Sequence, residues 1–264
     1  MVRSFVFTLA YWVISIFYVV MAAISLALPG RRVVGWVVAR YTRRMVQAMA
    51  WIAGIRLKVE GREKVPAGAC IIAAKHHSWF DGFCMYSQFQ DVAFVTGDHL
   101  ERLPLLGGIL RKLGAIVVDN CGGHTARKAL AESAARAHAD GRKILIYPEG
   151  HLSKAGEHHR YRSGVWHMYR DFGLPVVPAA TNLGVFAPQQ GMRKVPGTTT
   201  LQFLDPIAPG LPKAQFMARL EETIERASDA LIAQARGGPV APSVLVEDEE
   251  SGRAAGTAAV KEGA

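Results

Sequence analysis

Positions 4–28 form an unbroken run without a charged side chain. As helix the run would extend about 37 Å, longer than the roughly 30 Å hydrocarbon core of a bilayer. Arg3 precedes it and Pro29-Gly30-Arg31-Arg32 closes it, so the pattern predicts a membrane anchor over residues 1–30. A secretory leader shares the apolar character, and Ser25-Leu26-Ala27 has the small residues of a cleavage site. The length of the run and the single base before it favour the anchor. The next stretch has a different period. Arg40, Arg43, Arg44 and Gln47 share one helical face, and Tyr41, Met45, Ala48, Met49 and Ile52 share the opposite one. This predicts an amphipathic basic helix within residues 31–60, suited to the headgroup layer of a membrane; a helix packed on the protein's own core has the same pattern. If the first helix spans, the arginines that follow place the remainder on the cytoplasmic face. If it does not, the two segments form a hairpin dipped into one leaflet.

Beyond residue 60 the pattern alternates. Short apolar runs rich in β-branched residues predict strands over 55–59, 69–74, 92–95, 115–118, 143–147, 174–180 and 199–203. Helical periods lie between several of them, at 82–88, 105–113, 125–140, 164–171 and 213–235. Alternating strands and helices predict an α/β domain over 61–236, with a mainly parallel sheet covered by helices on both faces. Ligands of such sheets bind beyond the carboxyl ends of the strands. After Arg236 the composition turns to Gly, Pro, Ala and acids, which predicts a disordered acidic tail over 237–264.

Charge sharpens the picture. That tail holds five acids and two bases, a net of −3, so the rest carries +12 of the chain's overall +9. A basic chain with 50% hydrophobic residues suits an anionic partner, and the apolar runs point to a phospholipid surface. No zinc finger and no aromatic-basic strand motif speaks for nucleic acid. Cys70, Cys84 and Cys121 are odd in number and fit no zinc spacing, which predicts reduced thiols.

The candidate chemistry begins where an apolar strand runs into Lys75-His76-His77-Ser78-Trp79-Phe80-Asp81. A turn would return the Asp81 carboxylate to the His76 imidazole. A carboxylate on one ring nitrogen fixes the tautomer and raises the basicity of the other. That is the His-Asp half of a triad whose nucleophile is a substrate hydroxyl. Ser78 as a protein nucleophile would lack the usual G-x-S-x-G elbow. A metal site from His76, His77 and Asp81 with His158 and His159 matches no zinc signature. Packing histidines and an N-cap are the further reading.

The motif resembles the H-x4-D block of the glycerolipid acyltransferases, specifically the 1-acylglycerol-3-phosphate acyltransferase family. The resemblance places the catalytic pair on His76 and Asp81. A second block, Leu103 to Gly108 and Leu113 to Asn120, departs from it by carrying Asn120 where an acceptor-binding Arg is usual. A third, Tyr147-Pro148-Glu149-Gly150-His151-Leu152, is similar to Pro-Glu-Gly-Thr-Arg. It implies that Glu149 helps bind the acceptor and shape the site; Gly150 allows close backbone approach to a ligand, and Leu152 stands in place of a second Arg. Lys154, Arg160 and Arg162 follow closely and are candidates to replace that charge; a solvated, membrane-facing loop is the alternative. Leu174 to Ala179 resembles a fourth block, a buried strand whose prolines suit an edge or a bend. The resemblance implies acyl transfer from acyl-CoA or acyl-carrier protein to a lysolipid, with lysophosphatidate as acceptor, no metal and no bound cofactor. The departures at Asn120 and Leu152 leave room for another lysolipid, such as a lyso-ornithine lipid, or for a non-catalytic lipid-binding relative.

Overall fold

The computed structural model describes residues 1–89, 91–118 and 123–247. The chain opens with α1 (Val2–Ser25) and α2 (Arg32–Ala48), and a π-helical turn (Met49–Ala53) leads into β1 (Ile55–Glu60). Then come β2 (Ile71–Ala74), α3 (Asp81–Tyr86), β3 (Val92–Gly97), α4 (Asp98–Glu101), α5 (Leu106–Leu113), β4 (Ile116–Val118) and α6 (Gly123–Ala139). They are followed by β5 (Lys143–Ile146), β6 (Glu157–His158), α7 (Gly164–Phe172), β7 (Val176–Thr181), α8 (Leu183–Phe186), β8 (Gly197–Phe203), α9 (Lys213–Arg236) and β9 (Val244–Leu245).

Seven strands form one sheet in the order β1-β8-β7-β2-β5-β3-β4. Every pairing in it is parallel except β7 with β8. β2, at the centre, is buried along its whole length, so its sequence is a continuous apolar run rather than an alternating one. One core lies between the sheet and α6, α7 and α9, with Ile71, Ile144, Val176, Tyr169, Phe216 and Leu220 at its heart. A second, with Ile72, Met85, Leu145, Val177 and Phe203, fills the opposite face beneath α2 and α3. The predicted mainly parallel α/β architecture is therefore the one observed.

Two expectations, the domain boundary and the tail, need correction, and two open readings, of β7 and α2, are decided. The sheet begins at Ile55, so the domain reaches six residues further back than the boundary at 61; β1 pairs with β8 along six registers. β7 is no edge strand. It lies between β8 and β2, and Pro178, which cannot donate, sits just beyond the last β8 pair, Ala179 with Phe203. The amphipathic α2 turns its apolar face inward. Val34, Val37, Met45 and Met49 are buried against α1 and the domain, while Arg40, Arg43, Arg44 and Gln47 are exposed. The segment after Arg236 is ordered to Leu245: β9 pairs in parallel with β6, and Ser243 donates its N–H to Asp229 at 2.9 Å. Residues 248–264 of the predicted tail lie outside the described residues.

α1 is apolar all round and only partly covered. Phe7 and Ala22 are buried, whereas Phe5, Leu9, Trp12, Val13, Ile16, Phe17, Val20 and Ile24 are exposed. Both of its ends are tied down. Ser4 Oγ accepts the Lys194 N–H at 2.9 Å, and the Lys112 ammonium donates to the carbonyls of Ser25 and Leu26 at 3.0 and 2.8 Å. A cation on the last carbonyls is the favourable charge for a helix C-terminus.

Candidate active site

β2 delivers Lys75, His76 and His77 to the carboxyl edge of the sheet, and α3 starts at Asp81. The Asp81 N–H donates to the Ser78 carbonyl at 3.0 Å, a tight turn that folds the carboxylate back over the loop. One oxygen, Oδ2, then accepts three hydrogen bonds: His77 N–H at 2.7 Å, Ser78 N–H at 2.7 Å and His76 Nδ1 at 3.1 Å. Acceptance by a carboxylate places the proton on Nδ1 and leaves the Nε2 lone pair as the basic site. Asp81 is buried, and the His76 side chain is 19% exposed, so the base reaches solvent while its orienter does not. The geometry joins the two residues that the sequence pairs.

Tyr147, in the turn after β5, stacks on the other side of the imidazole with centroids 4.0 Å apart and planes 16° apart. Ser153 donates its N–H to the His76 carbonyl at 2.9 Å. The His76 ring is thus clamped by Asp81 at its edge and Tyr147 on its face, and its main chain is held by the loop that follows β5.

The neighbours of His76 serve packing. His77 is buried against Gly184, where a Cβ would stand 2.7 Å from its own Cβ, and its Nδ1 donates to the Thr181 carbonyl at 3.2 Å. Burial, and then the Lys75 charge, push its pKa well below the ordinary histidine value, so it is neutral. Ser78 is fully buried and donates its hydroxyl to the Ala187 carbonyl at 2.7 Å, which removes it as a nucleophile. Among the described residues no three His, Cys, Asp or Glu side chains converge as metal ligands. Cys70 and Cys84 are buried and unbridged, and burial raises the Cys70 thiol to about 11, which keeps it protonated.

The acceptor-side predictions divide. Glu149 is fully buried and faces inward. Its Oε2 accepts the His159 N–H at 2.8 Å, while Oε1 lies 3.1 Å from Lys75 Nζ but off the hydrogen-bonding direction. Burial raises its pKa despite the lysine. From this position its visible contacts are to Lys75 and the His159 main chain, which shape the turn after β5. Gly150 has φ +73°, and a Cβ there would meet Arg162 Nε at 2.8 Å, so its close approach is to a side chain of the same chain. Arg162 lies on that turn, donates its N–H to the Pro148 carbonyl at 2.8 Å and hydrogen-bonds His151 through its guanidinium. Arg160 is exposed, and Lys154, 61% exposed, is 3.8 Å from Glu157. Of the three replacement bases, Arg162 alone is brought against the Glu149–His151 turn. Asn120 lies outside the described residues.

Sequence reasoning missed Lys75, Glu225, Tyr161 and the Tyr147 stack. Lys75 had a signal: a lysine directly after a fully apolar central strand requires a buried partner. Glu225 had one too, an acid on the apolar stripe of α9, seven residues before Ile232.

The match to known proteins agrees with this geometry. Residues 56–182 match the family model Acyltransferase. A 1-acyl-sn-glycerol-3-phosphate acyltransferase of Pseudomonas aeruginosa is 32% identical over 171 residues, 65% of this chain and 66% of that one. The enzyme of the same name from Saccharomyces cerevisiae is 26% identical over 170 residues, 63% of this chain and 55% of that one. The aligned part thus spans between about half and two thirds of these relatives' length. The crystal structure of a 1-acyl-sn-glycerophosphate acyltransferase from Thermotoga maritima superposes with a TM-score of 0.72 at 21% identity, over 88% of this chain and 97% of that one, and shows the shared fold. The matched segment contains His76, Asp81 and Glu149 within the fold of those proteins, and residues 56–182 of this chain carry the acyltransferase domain of the family model that they match.

Proposed function

We propose that the protein transfers an acyl chain from an acyl thioester to the free hydroxyl of 1-acylglycerol-3-phosphate, giving phosphatidate. The observation that carries this is the Asp81-oriented His76, with its Nε2 as base at the carboxyl edge of the sheet. His76 removes the hydroxyl proton as that oxygen attacks the thioester carbonyl. A tetrahedral oxyanion forms, the carbon–sulfur bond breaks, and the proton held on Nε2 passes to the departing thiolate. General base action supplies about 10²–10⁴ in rate. The step needs neither a metal nor a bound cofactor. Acyl-CoA and acyl-carrier protein both present the required thioester.

Arg162, against Gly150 and His151, supplies the cation for the acceptor phosphate in place of the arginine that Leu152 lacks. The protein works from the surface of an anionic membrane, which its basic, apolar chain suits. With α1 about 36 Å long and bonded to the domain at both ends, its exposed apolar side lies along one leaflet instead of crossing it.

The test is purified protein in detergent with acyl-CoA or acyl-carrier protein and a panel of lysolipids, following thiol release and lipid product. Phosphatidate formation that is lost in folded His76→Ala supports the reading; full activity of that variant refutes the general-base role. Leu152 also favours a second reading, in which another lysolipid, such as a lyso-ornithine lipid, is the acceptor; product from that lipid alone would establish it.

A further inference from the structure

Lys75 stands between the end of β2 and His76, and its side chain is completely buried. An ammonium in such a place must be paired and hydrogen-bonded to keep its charge. Its Nζ donates to both oxygens of Glu225, at 2.9 and 2.8 Å, and to the Glu157 carbonyl at 3.1 Å; Glu149 Oε1 completes the surroundings at 3.1 Å. Glu225 also accepts the Tyr161 hydroxyl at 2.7 Å and the Ser243 hydroxyl at 3.1 Å. The partners come from α9, from the loop around β6, from the turn after β5 and from the segment before β9. A buried ion pair is a weak source of stability, because desolvation offsets the attraction, but its hydrogen bonds fix where the participating segments sit.

Two connections run from this node to the catalytic ring. Lys75 is joined directly to His76, and Glu149 is two residues from Tyr147, whose ring lies on the His76 imidazole. We propose that Lys75 and Glu225 are positioning residues for the acyl transfer: their buried pair holds the main chain of His76 and the stacked Tyr147 in register, and so keeps the imidazole aligned with Asp81. The kinetic part of the proposal rests on the function proposed above. The alignment of the ring does not.

Glu225→Ala removes the two hydrogen bonds that Lys75 makes to Glu225 and leaves the one to the Glu157 carbonyl, and Glu225→Gln preserves shape and an oxygen acceptor. In 15N-histidine spectra of the detergent-solubilised protein, with His76 identified by its loss in His76→Gln, the native ring should show one tautomer, protonated on Nδ1. Glu225→Ala should give His76 mixed tautomers, and Glu225→Gln should stay near the native pattern. With acyl-CoA and lysophosphatidate, Glu225→Ala should lower kcat by about 30–100-fold, the range expected for misplacing a catalytic group by about 1 Å, with KM for both substrates within about threefold. A folded Glu225→Ala with the native tautomer and kcat within threefold of native overturns the proposal, as does a loss carried wholly by KM. If Glu225→Ala does not fold, Tyr161→Phe decides: it removes one hydrogen bond from Glu225, and a kcat down about 3–10-fold at unchanged KM is expected. An unchanged kcat in that variant overturns the proposal. A native protein that turns over no thioester with any acceptor refutes the function, and the histidine spectra then decide the node alone.

Discussion

Asp81→Asn and Asp81→Ala should fail in different ways. The native carboxylate is buried and uses one oxygen for three hydrogen bonds, two from main-chain N–H groups and one from His76. In Asp81→Asn the amide oxygen takes that position and accepts all three as a neutral group. Charge-assisted hydrogen bonds contribute about 1.5–3 kcal/mol and neutral ones about 0.5–1.5, so weakening the two main-chain bonds costs roughly 2 kcal/mol. In Asp81→Ala both N–H groups are left buried without a partner, at about 1–3 kcal/mol each, or roughly 2–6 in total. At about 2–4 °C per kcal/mol for a domain of this size, melting should fall by roughly 4–8 °C in the first variant and further in the second. Activity should follow another order. In the proposed mechanism a neutral amide does not stabilise the imidazolium formed when His76 takes the proton, so kcat should drop about 10²–10⁴-fold in Asp81→Asn although the fold survives. The assay pairs thermal melting with thiol release from acyl-CoA at a temperature where both variants are folded. An Asp81→Asn enzyme that keeps more than a tenth of native kcat would reduce Asp81 to a loop-folding residue. Equal melting of the two variants would refute the hydrogen-bond reasoning.

Other variants test the remaining contacts. The Tyr147 hydroxyl is buried without a hydrogen-bond partner, so Tyr147→Phe should raise stability by about 1 kcal/mol in urea unfolding and leave kcat unchanged. Tyr147→Leu removes the stack and, at about 0.5–1.5 kcal/mol, should lower kcat about 2–12-fold. His77 is held neutral, so the unfolded chain takes up a proton below about pH 6.5 that the folded chain refuses. That group's contribution therefore falls as pH drops through this value, by up to about 1.4 kcal/mol per unit. Glu149 and Asp229, with raised values, act in the opposite sense above the ordinary carboxylate range, so the His77 effect is read as the difference between native protein and His77→Asn across pH 7 to 5.5. If the two proteins change in parallel, the buried neutral assignment is wrong. Placing Asp at exposed Leu9 and Ile16 of α1 should weaken sedimentation with anionic vesicles at least tenfold while melting stays native; unchanged binding would move the membrane contact off α1.

The seven strands of the main sheet, the longer helices of the domain, the His76–Asp81 pair and the apolar α1 were legible in the chain, because each rests on a local property; the short α4, β6, α8 and β9 were not. A buried strand must be apolar, a period of 3.6 marks a helix, and five residues with a turn bring a carboxylate back to a histidine. Distance in the sequence hid the rest. Glu225 lies 150 residues from Lys75, and only the docking of α9 against β7, the strand next to β2, makes them partners. Glu149 reads from its motif as serving the acceptor and shaping the site, and only the structure shows it buried 3.1 Å from Lys75. The pattern of α2 suits a membrane surface and a protein core equally, and packing against α1 and the domain chose the core. Local chemistry determined which groups act, while tertiary packing decided which are held behind them, since burial in a low-dielectric interior is what turns a charged side chain into a fixed joint.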